Sequence, residues 1–347
     1  MPKLYSTDYI CQSGGRFDVL KFVLAFLVVG IHAMPITFSL RPLFRVAVPL
    51  FFMMSSYFFF LKQSHIQSYK DRKDALWNYI MRIIKLYIFW TVLLLPYIIY
   101  SRKWYIGDLE TVLKIIKSVF ISGTFSASWF LTSSIISVSL IWFLSKSFNN
   151  RTLLWIGIVA YVICCLTSNY FSLYESFPSS VPIYKSFSYV FGKPCNSFLC
   201  AILFVVVGKI LAENRCFVPN KGLSIILILS LLLLFVEEYV VSYFSLNLSN
   251  VDYSDDCFIM LIPLCICSFM LLGQNPIKVP LDCRLLRNSS TIIYCVHFTL
   301  ISIMREFLSF SVGASLFVVA SIVSFLLSIV LLTLEKTHRI GWLTYSH

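Results

Sequence analysis

Ten times along this chain an apolar run approaches the roughly 20 residues that a helix needs to cross a hydrocarbon core. The runs lie at about 17–38, 43–61, 80–100, 128–145, 153–170, 191–211, 223–244, 256–273, 289–308 and 314–334. No other feature limits the fold so strongly. In lipid every backbone N–H and C=O has to find its partner inside the protein, and a run of this length does so as a helix. Two runs contain breaks: 80–100 holds Arg82, Lys85 and Pro96, and 191–211 holds Lys193 and Pro194, so either is open to a start a few residues later. The expected fold is an all-α polytopic membrane protein of about ten transmembrane helices with no soluble domain, one membrane domain over 1–347.

Composition agrees, with 59% hydrophobic and 13% charged residues, against about 45–50% apolar and about 25% charged in soluble domains. The net charge of +12 does not point to nucleic acid. The Lys and Arg residues sit in short loops between apolar runs, where insertion bias places them. The segments 62–85, 146–151, 215–221, 278–287 and 336–339 carry about twice the basic residues of the alternate ones, so both termini are expected to be cytoplasmic. The first 15 residues are mixed and polar, with no small-residue cleavage site after the apolar run, so insertion is expected to start from the first span. The stretch 101–117 has apolar residues at helical spacing and is a candidate to lie in the interface plane. Eleven cysteines include no Cys-x-x-Cys pair, and Cys164, Cys165, Cys265, Cys267 and Cys295 fall in apolar runs. They read as small hydrophobes, and no metal is expected.

Ionisable groups at membrane depth are the informative residues, because each costs about 2.5–3.5 kcal/mol at a helix centre on insertion scales. Lys21 and His32 share the first span. Eleven steps of about 100° return within about 20° of three turns, so both side chains lie on one face, roughly 16 Å apart along the axis. Asp18 lies on nearly the same stripe. Lys21 alone fits a lysine snorkelling to the interface, and His32 alone fits an imidazole bonded to another helix; together they suggest a lined cavity. In the second span Arg45 can reach the outer interface, Pro49 can loosen the backbone, and Ser55 with Ser56 offers hydroxyls among aromatics. Arg82 and Lys85, neighbours at i, i+3, close a densely basic loop that fits either insertion bias or an anion site. Glu237 and Glu238 follow an apolar run and point about 100° apart, so at most one can face a narrow cavity. In the ninth span Ser290, Tyr294 and His297 recur at spacings of four and three on one face.

These stretches resemble the integral-membrane acyltransferase family 3, polytopic enzymes that acylate sugars of cell-envelope glycans. The branch most similar is the stand-alone O-acetyltransferases grouped with fucose 4-O-acetylase. RFDVLKFVLAFLVVGIH resembles the family's opening span, with Lys21 where an arginine normally stands and His32 kept. RVAVPLFFMMSSYFF resembles its second span, with Ser56 in place of glycine. Trp129-Phe130-Leu131 resembles the opening of the fourth span, and FVVVGKIL and SSTIIYCVH resemble later signatures, the last ending at His297. Lysine keeps the charge of arginine at position 21 and loses its planar, bidentate fork.

The resemblance covers essentially the whole chain and implies a single membrane acyltransferase domain. It further implies acyl transfer from a cytoplasmic acyl-CoA, with acetyl-CoA the expected donor, to a hydroxyl of a cell-envelope glycan or lipid-linked sugar, in the inner (plasma) membrane. Lys21, Arg82 and Lys85 are the expected donor-binding residues. His32 is the expected general base or transient acyl carrier, with Glu237 holding the imidazole or acceptor hydroxyls. Arg45, Ser55, Trp129, Tyr294 and His297 are candidates for substrate binding or structure. The expected partners are acyl-CoA, the glycan or lipid-linked sugar and the bilayer, with no nucleic acid. Larger relatives in the family append an extracellular domain, and about 13 residues follow the last span here. Direct action on the sugar, or hand-over to a separate protein, is expected. The alternative is a transporter or flippase of polysaccharide precursors, a class that often shows inverted repeats.

Overall fold

The computed structural model describes residues 7–35, 39–104, 109–214, 218–248, 255–274, 282–338 and 341–347. Each of the ten expected segments carries helix. In chain order the helices are α1 (Thr7–Ala33), α2 (Arg41–Phe44), α3 (Ala47–Ser64), α4 (Tyr69–Leu93), α5 (Leu95–Arg102), α6 (Leu109–Lys117), α7 (Trp129–Leu144) and α8 (Asn150–Leu166). They continue as α9 (Phe171–Glu175), α10 (Ser180–Phe191), α11 (Phe198–Glu213), α12 (Asn220–Tyr243), α13 (Leu261–Gln274), α14 (Cys283–Phe307) and α15 (Ala314–His338). The described residues hold no strand, and the protein is an all-α polytopic membrane protein.

Not every segment meets the demands of a straight span. Among the described residues, four helical segments are long and apolar enough to cross a membrane alone, and six if each of two bent pairs counts as one span. The bends fall at the breaks seen in the sequence. Pro96 stands in the first turn of α5, which leaves α4 at 71°. The segment ending at Pro194–Asn196 meets α11 at 44°. At the first, proline lacks the N–H that would continue the preceding helix; at the second the chain turns at Ser197, whose backbone is extended. α8 and α13 have 17 and 14 residues, and α1 and α14 carry ionisable side chains along their length. α6 leaves Leu109, Leu113 and Ile116 exposed on one side while Lys114 pairs with Glu110 at 2.6 Å, the amphipathic form expected of an interfacial segment.

The chain forms two compact units: Met1–Phe51, Phe217–Leu229 and Pro263–His347 make one, and Phe52–Cys216 with Ser230–Ile262 the other. The first is built on α1, α14 and α15. Its core joins Ala25, Val29 and Ala33 of α1 to Ile293, Ile301 and Met304 of α14 and Leu316 and Ala320 of α15. Small residues on α1 let the backbones approach, as membrane helix packing favours. α1 and α14 run in the same direction: Asp18 meets Arg287 near their first halves, and His32 meets His297 further on. α14 begins where the Asp282 carboxylate accepts from the backbone N–H groups of Arg284 and Leu285, an N-cap. α15 then returns alongside, and the Gly313 N–H donates to the Ala33 carbonyl at 2.9 Å.

The second unit is organised around α11, whose residues Cys200–Lys209 are buried without interruption. Two glycines permit the packing. A Cβ on Gly157 of α8 would lie 2.9 Å from the Leu203 Cα, and one on Gly208 would lie 2.6 Å from the Met53 carbonyl oxygen and strike the Ser56 hydroxyl. The small residue that lets α3 approach its neighbour is therefore Gly208, on the partner helix, and Ser56 fits against it, fully buried. Lys209, buried, donates to Asn150 and Glu213, each at 2.7 Å, so its charge is neutralised inside the packing.

Candidate functional site

The first unit brings ionisable residues of α1 and α14 together in two groups, one toward each end. At the earlier end Asp18 lies 3.9 Å from Lys21 and 3.7 Å from Arg287. Arg16, 3% exposed, donates to the Leu272 carbonyl at 2.8 Å. Two cations thus converge on one buried carboxylate, and Lys21 keeps part of its surface open. The sequence placed Lys21 and Asp18 on one stripe. Arg287, contributed by α14, was read from the sequence only as a loop charge.

At the other end the rings of His32 and His297 have centroids 5.3 Å apart and planes tilted by 30°. The two side chains differ sharply in environment. His32 is exposed, while His297 is 1% exposed. The His297 Nδ1 lies 2.6 Å from the Tyr294 carbonyl oxygen, an acceptor only, so Nδ1 carries the hydrogen. Nε2 is therefore the lone-pair nitrogen, and it is buried with no hydrogen-bond partner among the described residues. A buried, unsatisfied imidazole nitrogen is unusual in a packed interior and marks a place where a ligand group or water belongs. Aromatic rings frame the pair: Phe298 stands edge-on to His32 at 5.0 Å, and Tyr294 lies 5.8 Å from His297 and 5.7 Å from Phe51. The spacing that put Tyr294 and His297 on one face of α14 thus serves the site twice, as ring contact and as the carbonyl that fixes the tautomer. Arg45, half-buried in the turn after α2, belongs to this same unit.

The remaining expected residues lie in the second unit. Arg82 and Lys85 are exposed on α4. Ser55 shares a 2.9 Å hydrogen bond with Tyr79, tying α3 to α4. Trp129 opens α7 and lies 6.1 Å from Phe52. Glu237, expected among the catalytic groups, has both oxygens engaged. Oε1 accepts from the Tyr170 hydroxyl at 2.7 Å and the Ile259 N–H at 2.6 Å, and Oε2 accepts from the Met260 N–H at 2.9 Å. Its geometry is that of a carboxylate capping the start of α13, where exposed backbone N–H groups favour an anion.

The class that the fold and site define is a polytopic helical membrane protein with a paired imidazole and converging cations. The chain belongs to the acyltransferase family: a family model described as an acyltransferase domain matches residues 15–333, nearly the whole length. Among curated proteins it is similar to a serine/alanine racemase of Enterococcus gallinarum, 25% identical over 238 residues, which cover 66% of this chain and 33% of that protein. An amino-acid racemase of Enterococcus faecalis is 26% identical over 272 residues, covering 75% of this chain and 36% of its own length. The chain therefore spans about a third of the length of the curated relatives it matches. No solved structure matches it.

Proposed function

We propose that the protein is an O-acyltransferase that moves an acetyl group from cytoplasmic acetyl-CoA to a hydroxyl of a cell-envelope glycan or lipid-linked sugar. The observation that carries this reading is the imidazole pair, an exposed His32 beside a buried His297 whose Nε2 lone pair is unsatisfied. Membership of the acyltransferase family supplies the reaction class.

Neutral imidazole, with an ordinary pKa of about 6.5, suits the deprotonation of a sugar hydroxyl near neutral pH. In the proposed step a ring nitrogen of His32 takes the hydroxyl proton as the sugar oxygen attacks the thioester carbonyl. The new C–O bond forms, the C–S bond breaks, and the CoA sulfur leaves and takes the proton from the imidazolium. The products are the acetyl ester and CoA thiol. In a two-step form the imidazole nitrogen first bonds the acetyl carbon and releases CoA, then yields the acetyl group to the sugar oxygen. His297 supports either form by offering Nε2 as an acceptor beside His32, with its other nitrogen committed to Tyr294.

Lys21 and Arg287, on the same two helices toward the opposite end, are suited to the phosphates of the donor. In this reading both termini are cytoplasmic and the protein sits in the inner (plasma) membrane. Glu237 holds the start of α13 and takes no part in proton transfer.

The test compares envelope glycans from cells with and without the gene by mass spectrometry, alongside incubation of isolated membranes with radiolabelled acetyl-CoA. The expected result is a gene-dependent mass increase of one acetyl group and label in the glycan fraction. Identical glycans and no label overturn the reading.

A further inference from the structure

A cavity of about 360 Å³ opens in the first unit at the end of α14 and the turn that leads into α15. Ser302, Arg305, Glu306, Phe310, Ser311 and Val312 line it. Its volume falls in the range of small-molecule sites, roughly 300–1,000 Å³. Two connections tie it to the histidines. Ser302 lies five residues beyond His297 on α14, roughly 7–8 Å along the axis. Gly313, next to Val312, donates its N–H to the carbonyl of Ala33, the chain neighbour of His32, at 2.9 Å. The turn that forms one wall is thus fastened to the helix end that carries the exposed imidazole.

The lining has a particular chemistry. Ser302, Arg305, Glu306 and Ser311 make no side-chain hydrogen bond or ion pair among the described residues, so four polar groups face one opening with their capacity unspent. Arg305 and Glu306 are adjacent and opposite in charge, so the lining carries no net charge. That arrangement disfavours a phosphate or other strong anion, which the carboxylate would repel. It favours a neutral ligand rich in hydroxyls. A carboxylate accepts from two neighbouring hydroxyls and a guanidinium donates to two oxygens from a fixed fork. Phe310 and Val312 add apolar wall for the C–H face of a ring.

We infer that this cavity is the acceptor subsite, taking one neutral hexopyranose ring and directing a hydroxyl toward His32. Glu306 and Arg305 bind the hydroxyls that do not react, and Phe310 takes the apolar face. The inference rests on the acyl-transfer reading for what happens next, but sugar binding itself needs no donor and can be measured apart from it.

The experiment uses the full chain in lipid nanodiscs with millimolar methyl α-glucoside, methyl α-galactoside or methyl α-mannoside, read by saturation-transfer difference NMR with no acyl-CoA present. The expected result is a saturation signal on at least one glycoside that falls at least five-fold in the double variant Arg305→Gln, Glu306→Gln. Both side chains are exposed, so the variant should fold, and an unchanged elution profile confirms it. No signal from any of the three glycosides with the wild-type protein, or an equal signal from the double variant, overturns the inference. A methyl glucuronide that binds more tightly than the neutral sugars overturns it as well. Failure of the acyl-transfer reading would show elsewhere, as absent label in the membrane assay.

Discussion

Replacing Glu237 with alanine removes three hydrogen-bond acceptor contacts at once: those to the Tyr170 hydroxyl and to the N–H groups of Ile259 and Met260. Hydrogen bonds to a charged group contribute about 1.5–3 kcal/mol each. Ile259 is exposed, so water replaces its lost partner and that contact counts for little. The other two are part-buried, and taking each near the low end gives a loss of about 3 kcal/mol. For a cooperative unit of some 150–250 residues that corresponds to a fall in Tm on the order of 10 °C. Glu237→Gln keeps one acceptor oxygen but turns an amide N–H₂ toward one set of donors, so about half the loss is expected. Thermal unfolding of the detergent-purified protein, followed by fluorescence-detected size exclusion, measures both. Acyl transfer by Glu237→Ala should decline in step with the folded fraction. A fully stable Glu237→Ala protein that has lost transfer would refute the capping argument and return the carboxylate to the chemistry.

Three further outcomes follow from the packing and the charges. Gly208→Ala should cost at least about 1–3 kcal/mol by overpacking α3 against α11 and lower the yield of folded protein. Gly222→Ala, where nothing lies within 4 Å of the added carbon, should be neutral or stabilise the helix by about 0.5–1 kcal/mol; the same elution profiles read both. Lys21→Arg should retain acyl transfer, while Lys21→Glu, which sets a second carboxylate beside Asp18, should raise the KM for acetyl-CoA at least ten-fold; equal KM values would remove Lys21 from donor binding. Accessibility tagging in 62–79 should report the cytoplasmic side, and labelling from outside intact cells would reverse the orientation.

The helices were legible because an apolar run is a local property, visible without knowing its neighbours. The bend between α4 and α5 was legible for a similar reason, since Pro96 announces a missing N–H wherever it stands. Partnership was not. His32 and His297 each stood out as a base at membrane depth, but 264 intervening residues hide the fact that their rings meet. Glu237 stood out as an acid after an apolar run, but its partners come from Tyr170 and from two backbone amides that have no sequence signature. Ser56 looked like the loss of a small residue, yet Gly208 on the facing helix supplies the space. The cysteines read singly as packing residues, whereas the fold turns the Cys164 thiol to donate to the Pro194 carbonyl at 3.3 Å. Arg305 and Glu306 carried no signal at all, because at the end of an apolar run charged residues are the ordinary expectation.

The most direct test of the central claim is the rate of acetyl transfer from radiolabelled acetyl-CoA to membrane glycan by His32→Ala, at matched protein level and with an elution profile like that of the wild type. The account expects transfer to fall to background. His297→Gln, which leaves an amide beside the working imidazole, should retain a reduced but measurable rate. Wild-type transfer by His32→Ala would contradict the site and leave the imidazole pair as helix packing.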